Sequence, residues 1–149
     1  MPTIRRFTEI EAWQKARELT RAVYAVSSRG SFAKDFGLRD QIRRAAVSIM
    51  ANIAEGFERD GTAEFIQFLT VAKASGAEVL SHFYVALDQA YIAQDEFDRM
   101  SATTGEVMRM IAALINYLRR SGVKGLKFKT PNSQVMSSGQ ELETRNRKP

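Results

Sequence analysis

The chain of 149 residues contains no cysteine, and it has only three prolines, one histidine and one tryptophan. Without cysteine, neither a disulfide nor a thiolate metal site can form, and nothing points to an oxidising compartment. No run approaches the ~18 apolar residues that a membrane-spanning helix requires. The N-terminus, MPTIRRFTEIEAW, lacks the apolar segment of a signal peptide. We therefore expect a cytoplasmic protein with no membrane partner.

The chain does have an excess of positive charge, with a net charge of +5 and a pI near 9.7. Residues 1–122 hold 16 Lys and Arg against 15 Asp and Glu, a net of +1, whereas residues 123–149 hold six against two, a net of +4. The basic pI therefore describes the C-terminal segment more than the surface of a folded domain. This segment is polar and lacks apolar periodicity, so we predict that it is disordered.

Four segments carry apolar residues at steps of three and four, which predicts four amphipathic helices. A capping box of Thr8 and Glu11 places the first helix start near residue 9, and Gly56 is the expected C-cap of the second. Thr62 and Asp95 are expected to cap the third and fourth helices. The predicted core stripes are Trp13, Ala16, Leu19, Val23 and Val26; Leu38, Ile42, Ala45, Ala46, Ile49 and Ile53; Phe65, Leu69, Ala72, Gly76, Val79, Phe83, Ala86 and Ala90; and Phe97, Met100, Thr104, Val107, Ile111, Leu114 and Leu118.

The helix lengths and the short connections predict an all-α fold, an antiparallel up-down-up-down four-helix bundle over residues 1–122. No segment alternates as a half-buried strand would. Residues 123–149 follow as a disordered basic tail.

The second helix contains the stretch SIMANIAEGFERD, which places polar groups in a run rich in Ala and Ile. On a helical wheel Ser48, Asn52 and Glu55 share one flank, and Ser75 and Glu78 lie on a flank of the third helix. An unpaired buried polar group costs ~1–3 kcal/mol or more, so these side chains are predicted to form a buried hydrogen-bond network. Asn52 or Glu55 is expected to reach the third helix or the turn before it.

The side of the second helix that faces away from the core is also apolar, since it carries Val47, Met50, Ala51 and Ala54. A bundle helix normally carries charges there. We interpret this face as an oligomer interface that a second copy of the chain covers, because the small residues allow close approach. The alternative is a solvated flank in which alanine serves helix propensity.

Enzyme chemistry is not expected. Ser75, Glu78 and His82 have the residue types of a hydrolase triad, but Ser75 and His82 lie about 10.5 Å apart along a helix axis, whereas a nucleophile and its base need ~2.6–3.2 Å. A di-metal bundle requires two Glu-x-x-His motifs, and this chain has one histidine. We predict no catalytic residues, no metal and no cofactor, and we expect His82 to pair with Glu78.

Binding of nucleic acid is the activity that the charges favour. Arg39, Arg43 and Arg44 cluster on the second helix, and Arg5 and Arg6 precede the first. These arginines are candidate phosphate contacts. Alternatively, they pair with neighbouring acids. The stretch KGLKFK in the tail could likewise contact RNA or stay solvated.

Four patterns also carry a family resemblance: FTEIEAWQKA at 7–16, GLRDQIRRAAVSI at 37–49, ANIAEG at 51–56 and FIQFLTVAKASGAE at 65–78. Together they resemble a bacterial four-helix-bundle family whose members are often labelled 23S rRNA intervening-sequence proteins. The accessory variability proteins of diversity-generating retroelements belong to the same group. The resemblance extends from residue 7 to about residue 120.

The resemblance implies a cytosolic, non-enzymatic bundle that assembles into a homopentameric ring. The accessory relatives imply RNA or DNA and a reverse transcriptase as partners, whereas the rRNA label reflects where some of the genes lie. The expected function is therefore a non-catalytic oligomeric scaffold for nucleic acid or for a nucleic-acid-processing enzyme. The alternatives are a protein-only adaptor and, third, a bundle enzyme.

Overall fold

The computed structural model describes residues 3–121, in which every regular element is a helix. A short 3-10 helix at Phe7–Glu9 precedes five α-helices, which are α1 (Glu11–Ser27), α2 (Gly30–Lys34), α3 (Phe36–Phe57), α4 (Thr62–Asp88) and α5 (Gln94–Ser121). The predicted all-α class is confirmed for this part of the chain. The prediction for the tail, residues 123–149, lies outside the described residues.

The four long helices pack around one apolar core. Helix α1 contacts α3 and α5, and α4 contacts the same two helices. Every residue of the predicted core stripes is buried except two. Trp13 is half-buried at the edge of the core, where its ring meets that of Phe7 edge-on at 5.3 Å. Ala90 is exposed because α4 ends before it.

The predicted capping box at the start of α1 is wrong. The helix begins at Glu11, its N-cap is Ile10, and no side chain caps it. Residues 7–9 form the 3-10 turn instead, and the carbonyl of Thr8 accepts a hydrogen bond from Gln14 Nε2 at 2.9 Å. Ile10 is buried, so packing of this residue places the helix start in spite of the local capping signal.

Helix α2 was not predicted, because five residues are too few to show a period. It places Phe32 in the core, where the ring stacks on Tyr91 with centroids 5.1 Å apart. Asp35 follows it and caps α3, accepting from the backbone N–H of Leu38 at 3.2 Å. The second oxygen of Asp35 accepts from the Tyr91 hydroxyl at 2.9 Å. One carboxylate therefore fixes both the start of α3 and the α4–α5 connection.

Gly56 is not a C-cap. It lies inside α3, which ends at Phe57, and it is buried. A Cβ atom at Gly56 would lie 2.7 Å from Phe68 Cβ and 2.9 Å from Phe65 Cδ1. The absence of a side chain is therefore what allows α3 and α4 to approach closely at this point.

The caps of the last two helices also differ from the prediction by one or two residues. Gly61 is the N-cap of α4, and Thr62 is the first helical residue. Asp95 is the second residue of α5. The acid that satisfies the backbone there is Glu96, whose Oε1 accepts from the N–H of Ala93 at 2.9 Å.

Candidate functional site

The predicted basic residues form two groups that the single chain does not bring together. Arg5 and Arg6 are exposed and precede the 3-10 helix, before the N-terminal end of α1. Arg43 instead contacts Ser27, the last residue of α1. The groups are thus separated by the length of α1, whose 17 residues span about 25 Å.

The three arginines of α3 differ in how their charges are matched. Arg39 pairs with Asp40 at 2.9 Å and donates to the carbonyl of Ala33 at 3.1 Å, so a carboxylate balances its charge. Arg44 is exposed. Among residues 3–121, neither Arg43 nor Arg44 forms an ion pair. The prediction that these arginines bind phosphate stays a prediction.

Arg43 is held by neutral groups. Its Nε donates to Ser27 Oγ at 2.8 Å, and its Nη2 donates to Ser28 Oγ at 3.0 Å. Its guanidinium carbon also lies 4.5 Å from the centroid of the Tyr24 ring. These contacts orient the side chain without cancelling its charge, which leaves a positioned cation at the seam between α1 and α3.

Two exposed aromatic rings lie beside these arginines, and neither belongs to the candidate residues that the sequence indicates. Tyr24 is 43% exposed and Phe36 is 63% exposed. The Arg39 guanidinium carbon lies 4.8 Å from the Phe36 centroid. The available signal was an aromatic residue off the apolar stripe of its helix. The pairing of Tyr24 with Arg43 depends on how α1 and α3 pack, which that signal does not contain.

The predicted polar network is smaller than expected. Ser48 Oγ lies 2.9 Å from Ser75 Oγ on α4, and the amide of Asn52 donates to the carbonyl and the hydroxyl of Ser48 at 2.8 and 3.0 Å. The bond that crosses to α4 thus comes from Ser48. Glu55 and Glu78 are exposed, so neither is buried in this network. The seam between α3 and α4 covers Ser48 and Ser75 but does not extend to these two carboxylates.

The outward face of α3 is only partly covered in the single chain. Val47 is 42% exposed and Ala51 is exposed, whereas Met50 and Ala54 are half-buried. The prediction that a second copy covers these four residues stays a prediction.

The polar residues of α4 that have the types of a hydrolase triad make separate contacts. Ser75 Oγ is bonded to Ser48, and His82 Nε2 lies 3.5 Å from Glu78 Oε2, a contact that becomes an ion pair only when the imidazole is protonated. That nitrogen is buried, and the contact to Glu78 does not have hydrogen-bond geometry. Within residues 3–121, no group of three or more His, Asp and Glu side chains is placed to hold a metal ion. The helices of this region are also too short or too polar to cross a bilayer.

The comparisons with known proteins agree with the helical fold. No curated protein shows significant similarity to the chain. Among solved structures, the chain is similar to a protein of unknown function of the S23 ribosomal protein family from Bacteroides thetaiotaomicron VPI-5482. The sequence identity is 24%, the match covers 70% of this chain and 95% of that one, and the TM-score is 0.65. That likeness shows the fold alone. The family model described as 23S rRNA-intervening sequence protein matches residues 8–113, and the chain therefore belongs to the 23S rRNA-intervening sequence protein family.

Proposed function

We propose that this protein is a non-catalytic oligomeric scaffold that binds nucleic acid through the arginines of α3. The observation that carries the proposal is the environment of Arg43. Serine hydroxyls and a ring face hold its guanidinium at the surface, and no carboxylate among the described residues neutralises it. A positioned cation without a counterion is suited to a phosphate. Arg44, the next residue, adds a second exposed charge.

The proposed architecture is an antiparallel up-down-up-down four-helix bundle. It is supported by the order of contacts across the seams, since later residues of one helix meet earlier residues of its neighbour. Between α3 and α4, Ser48 meets Ser75 and Gly56 lies against Phe68. Between α1 and α5, Lys15 pairs with Glu106, and Arg29, just after the end of α1, pairs with Glu96 near the start of α5.

Assembly would convert weak contacts into useful affinity. In a ring of five, the copy number that the family resemblance implies, each arginine pair is repeated five times, and binding gains avidity. The half-covered face of Val47, Met50, Ala51 and Ala54 is the proposed subunit contact. We place the scaffold in the cytoplasm, where RNA, DNA or a nucleic-acid enzyme such as a reverse transcriptase would be its partner, as in the accessory proteins of diversity-generating retroelements.

A salt series tests the proposal. Binding of fluorescent RNA and DNA is measured between ~50 and 300 mM salt, where log affinity should fall linearly with log salt, by about 0.9 per phosphate contacted on duplex DNA. The double variant Arg43→Gln with Arg44→Gln should bind more weakly and have a shallower slope. The double variant Arg99→Gln with Arg109→Gln on α5 is the matched control, because it also removes two positive charges from exposed positions, away from α3.

Two results would contradict the proposal. Absence of binding at ~50 mM salt would favour an adaptor whose partner is only protein. If light scattering gives the mass of one chain at micromolar concentration, the proposed oligomer is wrong, and the avidity that depends on it is lost.

A further inference from the structure

Tyr24, Phe36, Arg39 and Arg43 form a surface strip at one end of the bundle, which we call the stacking strip. Each of its two rings has a guanidinium close to it, at 4.5 Å for Tyr24 and 4.8 Å for Phe36. Nevertheless, 43% of Tyr24 and 63% of Phe36 stay exposed. Exposed rings beside arginines are typical of surfaces that take up flat ligands with negative charge.

The strip has a regular order along α3. Phe36 and Arg43 are seven residues apart, so they lie on the same side of the helix and about 10.5 Å apart along its axis. Arg39 lies between them, and Tyr24 reaches the Arg43 end from α1. The order is therefore ring, cation, cation, ring.

The stacking strip is preorganised by contacts within the chain. Asp35 caps the first turn of α3, which carries Phe36, and is itself tied to Tyr91. Ser27 and Ser28 fix the guanidinium of Arg43. Groups that are held in place lose little conformational entropy when they bind, which favours affinity.

We propose that the stacking strip binds single-stranded nucleic acid, with bases stacked on Tyr24 and Phe36 and an intervening phosphate on Arg43. This inference rests on the proposed function and names the form of nucleic acid that the site takes. A duplex keeps its base faces inside its own stack, whereas a single strand can present them to aromatic rings. The phosphate contact falls to Arg43 because Asp40 already matches Arg39.

The first experiment measures fluorescence anisotropy with the full chain and oligomers of 15 nucleotides: oligo(U), oligo(dT) and a duplex of the same length. Tyr24→Leu and Phe36→Leu remove the π-face but keep an apolar side chain. Each should weaken single-strand binding by about 5- to 150-fold, the fold-change that corresponds to one lost stacking contact. The two single strands distinguish RNA from DNA as the better ligand.

Three matched variants make the result specific. Tyr24→Phe and Phe36→Tyr keep the aromatic face and should bind single strands as the wild type does. Tyr84→Leu removes a ring that is 56% exposed on α4, outside the strip, and should also leave binding unchanged. None of the aromatic variants should alter the salt slope, whereas Arg43→Gln should lower it by about 0.7.

A second measurement uses the wild-type chain and so does not depend on how the variants fold. An oligo(U) that carries 4-thiouridine is photocrosslinked to the protein, and the protein is digested with trypsin. The crosslinks should fall on the peptides 22–29 and 35–39, which contain Tyr24 and Phe36. Crosslinks confined to other peptides would overturn the assignment.

The outcomes separate the two proposals. Should the chain bind nucleic acid while both leucine variants bind single strands as well as the wild type, the stacking strip is wrong and the proposed function stands. A preference for the duplex over both single strands would also overturn the stacking strip and leave the proposed function standing. Should the wild type bind neither form at ~50 mM salt, both proposals fail, and the strip is better explained as a contact for a protein, in which Tyr and Arg are also enriched.

Discussion

Ser48 Oγ lies 2.9 Å from Ser75 Oγ, and this hydrogen bond joins α3 to α4 across the bundle seam. Ser75 is buried, so removal of its partner leaves a polar atom without solvent. We predict that Ser48→Ala lowers the free energy of unfolding by ~1–3 kcal/mol, because Asn52 loses an acceptor as well. Urea unfolding followed by circular dichroism measures the loss.

A double-mutant cycle sharpens this prediction. Ser75→Ala alone should also lower the free energy of unfolding. The loss in the double variant should be smaller than the sum of the two single losses, because neither hydroxyl then remains without its partner. Strict additivity would mean that the two hydroxyls do not interact in solution.

Three glycines provide a test of close packing. The Cβ added by Gly56→Ala would lie 2.7 Å from Phe68 Cβ, which is anchored to the α4 backbone, so we predict a loss of ~1–3 kcal/mol. Gly76→Ala would meet Met108 Cγ at the same distance, but that flexible side chain can move, and the loss should be smaller. The control, Gly105→Ala, has only Arg109 Nη1 at 3.4 Å and should gain up to ~1 kcal/mol from helix propensity. Thermal unfolding should rank the three in this order, and an equal effect of all three would contradict the packing argument.

The core could be predicted from the sequence because burial follows apolar periodicity. All six stripe positions of α3 are buried, from Leu38 to Ile53. Helix ends were harder to predict because local signals compete with packing. Thr8 and Glu11 satisfy the capping-box pattern, yet burial of Ile10 moves the helix start.

The candidate site was only partly predictable, for a geometric reason. A helical wheel assigned Ser48 and Glu55 to the same flank, but only Ser48 lies close enough to the seam to be covered. The wheel gives an angle and contains no information on the reach of the neighbouring helix. The ring of Tyr24 was missed for the same reason, since its partner Arg43 belongs to another helix.

Replacement of Ala90 by glycine should stabilise the fold. Its φ is +61°, in the left-handed region, where it closes the C-terminal end of α4 through bonds from Ala90 N to Leu87 O and from Tyr91 N to Ala86 O, each 2.9 Å. A Cβ atom is strained there, so Ala90→Gly should raise the free energy of unfolding by about 0.5–1 kcal/mol in spite of the flexibility gained by the unfolded chain. The control is Ala102→Gly, an exposed position inside α5, where the same change should cost about 1 kcal/mol. Equal signs in chemical denaturation would refute the assignment of strain to Ala90.

The ion pair of Arg29 and Glu96 should make the free energy of unfolding depend on pH in the acid range. Two nitrogens of Arg29 contact the carboxylate at 2.8 and 3.0 Å, and the N–H of Ala93 donates to it at 2.9 Å. These bonds, that of Arg29 foremost, lower the pKa of Glu96 from 4.5 to about 2. As the pH falls below 4.5, the carboxyl binds a proton in the unfolded chain first, which favours unfolding. The stabilisation is therefore complete above pH 4.5 and is lost as the pH falls to about 2.

Denaturant unfolding between pH 7 and pH 2 measures this contribution. Arg29 is 52% exposed and water screens the pair, so we expect a loss of only ~1 kcal/mol over the window from about pH 4.5 to about pH 2. Glu96→Gln should be less stable at pH 7 and should lose less than the wild type on acidification, because it has no carboxylate to protonate. Asp95→Asn is the control, since it removes a neighbouring carboxylate whose pair with Arg99 is largely exposed, and it should keep the acid sensitivity of the wild type. If Glu96→Gln and the wild type lose equal stability over this window, the ion pair is not the source of the acid dependence.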